Sequence, residues 1–265
     1  MSICVTDIGN TNTKLALFQE GSLRKFISVS SKMEDTASLE RFLKENSISE
    51  IFITSVNDKS LLMLTTFLSE MSICYTLFDP QKSKLALDVE EPHLVGQDRI
   101  ANAYGALHHF PCNNCLVIDI GSAVNFDLIA KEGSFIGGAI YPGVQASSRA
   151  LSSFSEKLPL IEISKPNSAL GKDTQSDIKS GIYFGLLGAI ERISAELCFE
   201  MGSASSVKII ATGGAFQQSD MNTSDNIEQF TSDLKDLVDI IDPYLTLVGV
   251  YELYKEQSLK KQEKE

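Results

Sequence analysis

The feature that most constrains the fold of this chain is an internal duplication. Residues 3–18 are ICVTDIGNTNTKLALF, and residues 115–130 are CLVIDIGSAVNFDLIA. Each segment predicts an apolar strand, an Asp-Ile-Gly turn and a second strand. When the two turns are aligned, Gly9 matches Gly121 and most of the apolar positions repeat. The duplication therefore predicts two homologous halves.

The boundary between the halves is predicted at a turn-forming stretch, so that the halves are 1–113 and 114–265. Three strands open the first half, and the second half repeats this opening. Each half is expected to be a mixed sheet with helices packed on it, which is an α/β architecture. The last helix is a candidate to pack back on the first half.

Apolar periodicity gives the approximate bounds of the elements. The predicted strands lie near residues 2–8, 13–19, 23–30, 50–56, 73–78, 115–121, 124–131, 134–141 and 207–212. The predicted helices lie near residues 35–46, 58–71, 98–110, 143–153, 175–201 and 245–258. Glycines at 181, 185 and 188 are expected to allow close packing of the long helix.

Composition limits the classes of partner. The chain has 35 acidic and 23 basic residues and a formal net charge of −12. This charge repels polyanions, so no nucleic-acid partner is expected. The N-terminus lacks the features of a secretory signal, no apolar run approaches the roughly 20 residues that cross a bilayer, and the five cysteines are odd in number. We therefore expect a soluble cytoplasmic protein with no membrane partner.

The Asp-x-Gly-x-Thr turn is suited to phosphate binding. Glycine lets backbone N–H groups approach a phosphate closely, Asp7 could hold a hydrated Mg²⁺ ion, and Lys14 adds positive charge. One such turn is equally consistent with an ordinary hairpin, but two copies favour a nucleotide site. A third turn at 211–216, ATGGAF, places Gly213 and Gly214 between a strand and a helix, with room for a nucleoside.

Taken together, these motifs resemble the superfamily of acetate and sugar kinases, Hsp70 and actin, and more narrowly the type III pantothenate kinases. The motifs, in the family's order, are DIGNTNTK at 7–14, GQDR at 96–99, DIGSAVNFD at 119–127, GGAIYPG at 137–143, GKDT at 171–174 and TGG at 212–214. The resemblance implies two duplicated ribonuclease H-like (actin-like ATPase) domains with ATP in the cleft between them. It also implies a homodimer that uses ATP to phosphorylate pantothenate to 4'-phosphopantothenate, the first step of coenzyme A biosynthesis.

The resemblance also assigns roles to individual residues. The implied ATP-binding residues are Asp7, Ile8, Gly9, Asn10, Thr11, Asn12, Thr13, Lys14 and Ser122. The implied substrate-binding residues are Val89, Gly96, Gln97, Asp98, Arg99 and Thr174. Asp98 would be the catalytic base, Asp7 would hold Mg²⁺ through water, and Asp119 would bind a monovalent cation, K⁺ or NH₄⁺. Arg99 would contact either the pantothenate carboxylate or the transferring phosphate.

Some of these residues also have a structural interpretation. Asp98 and Thr174 each stand close to the start of a predicted helix, where Asp and Thr are favoured as N-caps. The sequence departs from the family's usual pattern at four positions. Val89 stands where a tyrosine is common, Gln97 replaces alanine, and Ser122 and Asn125 each replace threonine.

Two other functions fit the same motifs. One is a catalytically inactive regulatory paralogue with the same fold, and the other is a kinase of the superfamily that acts on another small alcohol. An inactive paralogue would be expected to have lost a carboxylate. The chain has Asp7, Asp98, Asp119 and Arg99, which favours an active kinase.

Overall fold

The computed structural model describes residues 2–202, 207–217 and 224–262. They form two compact units. Unit 1 comprises Met1–Pro111, Gly133–Phe135 and Tyr244–Glu265, and unit 2 comprises Cys112–Glu132 and Ile136–Pro243. The division into domains at residue 113 stays a prediction, since compactness alone does not establish which segments fold independently.

Strands and helices alternate along most of the chain after an opening run of three strands. The strands are β1 (Ser2–Ile8), β2 (Asn12–Gln19), β3 (Ser22–Ser30), β4 (Glu50–Ser55), β5 (Cys74–Leu77), β6 (Ala86–Leu87), β7 (Asn114–Ile120), β8 (Ala123–Ala130), β9 (Ser134–Pro142), β10 (Val207–Thr212) and β11 (Ile240–Ile241). The helices are α1 (Thr36–Glu45), α2 (Asp58–Glu70), α3 (Gln97–His109), α4 (Val144–Phe154), α5 (Thr174–Glu200), α6 (Ser224–Leu234) and α7 (Leu245–Gln262). Short 3₁₀ helices lie at Pro80–Lys82, Pro92–Leu94 and Gly214–Phe216.

The predicted strands and helices are all confirmed, with small differences at their ends. The periodicity analysis missed β6, β11 and α6. β6 and β11 are two residues long each, too short to show an alternating pattern. The sequence before α6 is polar and has no apolar periodicity, so the start of this helix gave no signal.

The sheet of unit 1 is mixed and has the order β3-β2-β1-β4-β5. β1 and β2 are antiparallel, as are β2 and β3, whereas β4 runs parallel to β1 and β5 runs parallel to β4. Residues 4–8 of β1 are all buried, as expected for a central strand covered on both faces. In the same unit, β6 pairs in parallel with Ser134 and Phe135 at the start of β9.

Helices cover both faces of this sheet. On one face, Leu39 of α1 and Leu64 of α2 join a buried cluster with Ile8 of β1. On the other face lies α7, whose Tyr251 ring stacks on the Phe18 ring of β2 with 4.3 Å between the centroids. The C-terminal helix is therefore part of the core of unit 1.

α7 packs closely against α3. An added Cβ at Gly249 of α7 would lie 1.7 Å from the carbonyl oxygen of Ala101, and one at Gly105 of α3 would lie 2.6 Å from that of Leu245. At the same contact, the buried Thr246 hydroxyl donates a hydrogen bond to Asn102 Oδ1 at 2.8 Å. Glycine is required where the two helices approach because no side chain fits between them.

Unit 2 repeats the architecture of unit 1. Its strands run in the order β11-β10-β7-β8-β9, so that β7 takes the place of β1 and β10 that of β4. β7 is antiparallel to β8 and parallel to β10. α5 packs on this sheet through Leu186 and Ile190, which join the buried cluster around Leu116 and Phe126. The duplication is thus confirmed at the level of strand order.

The prediction that Gly181, Gly185 and Gly188 allow close helix packing is wrong within the described chain. An added Cβ at any of the three would meet no atom of another described element within 4 Å. No helix in the described ranges is both long and apolar enough to cross a membrane.

The two kinds of helical glycine should respond differently to alanine. Gly249→Ala should lower the free energy of unfolding by about 1–3 kcal/mol, because the new methyl group overlaps the Ala101 carbonyl. Gly188→Ala is the matched control and should leave stability unchanged or raise it by up to about 1 kcal/mol, since alanine is the better helix former. Urea denaturation of both variants measures this difference, and equal effects would contradict the packing of α7 on α3.

Candidate functional site

The turn between β1 and β2 presents the first group of predicted phosphate-binding residues. The Gly9 N–H donates to the Asn12 carbonyl at 3.0 Å and closes the turn. Asn10 and Thr11 at its tip are exposed. In the antiparallel register of β1 and β2, Asp7 lies opposite Lys14. The turn thus presents Asn10 and Thr11 at the surface of unit 1.

Two of the predicted ATP-binding residues point into the core instead. The side chains of Ile8 and Thr13 are 0% exposed, so only their backbone atoms could meet a ligand. The Thr13 hydroxyl lies 3.1 Å from Ser31 Oγ, and Ser31 Oγ donates to the Gly9 carbonyl at 2.8 Å. The Ser31 N–H also donates to the Thr11 carbonyl at 2.9 Å. The buried Ser31 therefore stabilises the turn from its core-facing side.

Asp7 is held by a residue that sequence analysis missed. Asp7 is 6% exposed, and the buried Thr54 hydroxyl shares its proton between Asp7 Oδ1 at 3.3 Å and the Thr6 carbonyl at 3.2 Å. Thr54 faces Asp7 in the parallel pairing of β1 with β4. No local motif marks Thr54, because the contact depends on strand register. It fixes the orientation of the carboxylate beside the turn.

The start of α3 carries the second group of predicted residues. Gly96 is the N-cap, so Asp98 is the second residue of the helix and not its cap. Asp98 Oδ1 accepts a hydrogen bond from the Arg99 N–H at 2.8 Å. An added Cβ at Gly96 would lie 2.4 Å from the same oxygen. Glycine at position 96 therefore leaves room for the Asp98 carboxylate.

Phe135 anchors two further predicted substrate residues. The guanidinium carbon of Arg99 lies over its ring, 5.1 Å from the centroid, a cation–π contact that orients the cation. The Asp88 N–H donates to the Phe135 carbonyl at 2.8 Å, and the half-buried Val89 follows directly. The side chain of Arg99 and the segment that contains Val89 thus both contact Phe135.

In unit 2, the turn between β7 and β8 presents Ser122. The Gly121 N–H donates to the Ala123 carbonyl at 3.0 Å, and the Gly143 N–H donates to the Ser122 carbonyl at 3.2 Å. The side chain of Ser122 is exposed. An added Cβ at Gly143 would lie 2.2 Å from the Gly121 carbonyl oxygen. The last glycine of GGAIYPG therefore packs directly on this turn.

Asp119 is half-buried at the end of β7. Its neighbour on β10 is Thr212, whose buried hydroxyl has no hydrogen-bond partner among the described residues. Gly213 follows with φ +111°, and an added Cβ there would lie 2.5 Å from Asp119 Oδ1. The first glycine of the predicted Gly-Gly turn thus makes room for this carboxylate. A 3₁₀ helix begins at Gly214.

Thr174 is the exposed first residue of α5. The N-cap is Asp173, whose carboxylate accepts from the Ser176 N–H at 2.9 Å, and the Ser176 hydroxyl completes a capping box. Hydrogen bonds from Ser176 lower the pKa of Asp173 below its ordinary value. The capping role therefore falls to Asp173, and the Thr174 hydroxyl is not the cap.

The predicted residues thus fall into two sets. Unit 1 brings the segments Asp7–Lys14 and Gly96–Arg99 together. Both segments contact the carboxyl end of β4, where the Thr54 hydroxyl donates to Asp7 and the Ser55 N–H donates to Gln97. Unit 2 holds Asp119, Ser122 and Thr174. The unit 1 set by itself combines an exposed turn, carboxylates that accept hydrogen bonds and two cationic side chains, which suits it to binding and transferring a phosphoryl group.

Comparison with known proteins agrees with this interpretation. The family model for type III pantothenate kinase matches residues 3–196. This match confirms the resemblance that the motifs indicated.

Solved structures are similar to this chain at low sequence identity. A Campylobacter jejuni protein named for the Baf family of transcriptional activators has a TM-score of 0.56 and 22% identity, over 97% of this chain and 99% of that one. Component A of (R)-2-hydroxyglutaryl-CoA dehydratase from Acidaminococcus fermentans has a TM-score of 0.49 and 15% identity, over 97% and 99% of the two chains. MreB5 of Spiroplasma citri, bound to ADP, has a TM-score of 0.49 and 14% identity, over 99% and 98%. At such identities the likeness concerns the fold alone.

Proposed function

This chain belongs to the type III pantothenate kinase family, and we propose that it transfers the γ-phosphate of ATP to the primary hydroxyl of pantothenate, the first step of coenzyme A biosynthesis. The family match carries this proposal. It spans residues 3–196, which include every residue assigned above to the phosphate, substrate and catalytic sites. We place this reaction in the cytoplasm.

In this proposal the first hairpin binds the ATP phosphates. The exposed turn residues Asn10 and Thr11 would donate to phosphate oxygens, Gly9 would let the phosphate approach the backbone closely, and Lys14 would add positive charge. Asn12 is half-buried at the start of β2 and supports the turn through its carbonyl. Ser122 would add the hydroxyl of the second hairpin.

Asp7 suits a water-mediated contact with Mg²⁺. Asp7 is the second-last residue of β1, beside the exposed turn, and the Thr54 hydroxyl contacts one of its oxygens at 3.3 Å. Mg²⁺ commonly uses one or two carboxylates together with substrate phosphates, so one carboxylate is sufficient. The described residues contain no cluster of three or more His, Cys, Asp or Glu side chains that could hold a metal by themselves. When bound, Mg²⁺ would neutralise charge on the phosphates.

Asp98 is the proposed base. As the pantothenate hydroxyl oxygen forms its bond to the γ-phosphorus and the bond to the ADP oxygen breaks, the Asp98 carboxylate accepts the hydroxyl proton. Arg99 would bind either the pantothenate carboxylate or the transferring phosphate, and its fork of N–H donors suits both. Val89, Gly96 and Thr174 would line the rest of the pantothenate site.

Replacing the base should abolish most of the turnover. Asp98→Asn should lower pantothenate-dependent kcat by about 10²–10⁴-fold, because the amide cannot accept the proton. Asp58→Asn is a matched control, since Asp58 is also an acid in the first turn of a helix of unit 1, and it should keep normal activity. A coupled ADP-release assay with ATP, Mg²⁺ and K⁺, with and without pantothenate, measures both variants.

The same assay separates the alternative functions. ATP binding without turnover on any alcohol would indicate a regulatory paralogue. Turnover on a different small alcohol, found with a substrate panel, would indicate another kinase specificity. Either result would overturn pantothenate as the substrate.

We propose Asp119 as a ligand of a monovalent cation, K⁺ or NH₄⁺. Its half-buried carboxylate and the adjacent buried Thr212 hydroxyl provide oxygen ligands. Asp119→Asn should raise the K⁺ concentration that gives half-maximal activity by roughly tenfold or more, since the site loses its negative charge. Glu132→Gln, at an exposed acid of the same unit, should leave it unchanged. Titration of activity with KCl at constant ionic strength tests this, and an identical K⁺ response in both variants would refute it.

We also propose a homodimer. Exposed aromatic side chains support this proposal, because Phe154 is 87% exposed and Phe199 is 75% exposed, and phenylalanine is enriched in protein–protein interfaces. Light scattering coupled to size exclusion should give the mass of two chains at micromolar concentration. The mass of one chain, 29.0 kDa, would contradict the dimer.

A further inference from the structure

At the carboxyl end of β4, one backbone N–H group donates to a side chain and not to a neighbouring strand. The Val56 N–H donates to the Ile8 carbonyl at 3.0 Å, on the β1 side. Adjacent N–H groups of a strand point to opposite sides, so the Ser55 N–H points toward β5, which ends at Leu77. The Ser55 N–H donates to Gln97 Oε1 at 3.0 Å. A side chain from α3 thus replaces the strand partner at this point of the sheet.

Gln97 is the first residue of α3. Its amide oxygen faces β4, which differs from the substrate contact that the family resemblance assigns to it. Asp98 and Arg99 follow in the same helical turn, so the hydrogen bond to Ser55 also restrains their backbone. Any shift of this first turn would move the proposed base.

The same segment of the chain also contacts the phosphate hairpin. Ser55 Oγ donates to the Asn57 carbonyl and accepts from the Asn57 N–H, both at 3.1 Å. The Asn57 side chain caps α2 by accepting from the Ser60 N–H at 3.0 Å, and its amide group donates to Asn10 Oδ1 at 3.4 Å. Residues 55–57 therefore contact the tip of the hairpin on one side and the start of α3 on the other.

We propose that Gln97 is a positioning residue, which holds the first turn of α3 on the end of β4 and links it, through Ser55 and Asn57, to the phosphate hairpin. This role rests on the proposed function of Asp98 as the base. A base must lie within hydrogen-bond reach of the proton it accepts. Displacement by about 1 Å can lower a rate by on the order of a hundredfold, so the restraint on this turn matters for catalysis.

Kinetics distinguish positioning from substrate binding. Gln97→Met removes the oxygen acceptor and keeps the length of the side chain, so kcat should fall by roughly ten- to a hundredfold while the KM for pantothenate stays within about twofold. Gln97→Glu keeps an acceptor and should restore most of kcat. The acidic limb of the pH–kcat profile of Gln97→Glu should move to higher pH, because the added carboxylate disfavours the ionised form of Asp98. Gln81→Met, at an exposed glutamine of the same unit, is the control and should match the wild-type protein.

A raised KM for pantothenate at unchanged kcat in Gln97→Met would show a substrate contact and overturn the proposal. Unchanged kcat and KM would also overturn it.

Hydrogen exchange tests the contact without relying on turnover. In Gln97→Met the Ser55 amide should exchange about tenfold faster than in the wild-type protein, while the Val56 amide, which donates to Ile8, should keep its rate. Equal Ser55 rates would refute the positioning role, even if the enzyme is active. Conversely, a wild-type chain without pantothenate-dependent turnover would refute the proposed function, and the Ser55 exchange rate would still decide whether Gln97 holds α3 on β4.

Discussion

The parallel pairing of β1 with β4 is the constraint on which the candidate site of unit 1 depends. The register places Asp7 beside Thr54, and the carboxyl ends of the two strands lie at the same edge of the sheet. The segment that follows β4 therefore meets the turn that follows β1. From this position Thr54 donates to Asp7, and Ser55 donates to Gln97 at the start of α3. An isolated hairpin would present the same turn without these supports.

Unit 2 places an aspartate beside a threonine with the same strand pairing, but other groups contact this aspartate. The parallel pairing of β7 with β10 places Asp119 beside Thr212, as β1 and β4 place Asp7 beside Thr54. Thr54 donates to its aspartate, whereas in unit 2 the tight approach of Gly213 brings backbone against the Asp119 carboxylate. One duplicated arrangement can in this way provide two carboxylates with different environments, which suits the two different cations that we propose.

The helix that carries Asp98 is held in two places. Its first turn is joined to β4 by Gln97, and further along, Ala101 contacts Gly249 of α7 without an intervening side chain. α7 lies beyond residues 3–196, where the family model matches, and yet it belongs to the core of unit 1. The support of the proposed base therefore depends on the last described helix of the chain as well as on the family motifs.

Much of the fold could be predicted from the sequence alone. The repeated Asp-Ile-Gly turns and the apolar periodicity determined the duplication, the long strands and helices, and the turns that carry Asp7 and Asp119. The tertiary structure decided that Thr54 contacts Asp7, that Gly96 caps α3, that Gln97 faces β4, and that the glycines of α5 meet no other element within the described chain. Turn chemistry and periodicity are local, since they involve neighbours in the chain. Gln97 and Ser55 are 42 residues apart, and their contact depends on strand register and helix docking, which no local pattern encodes.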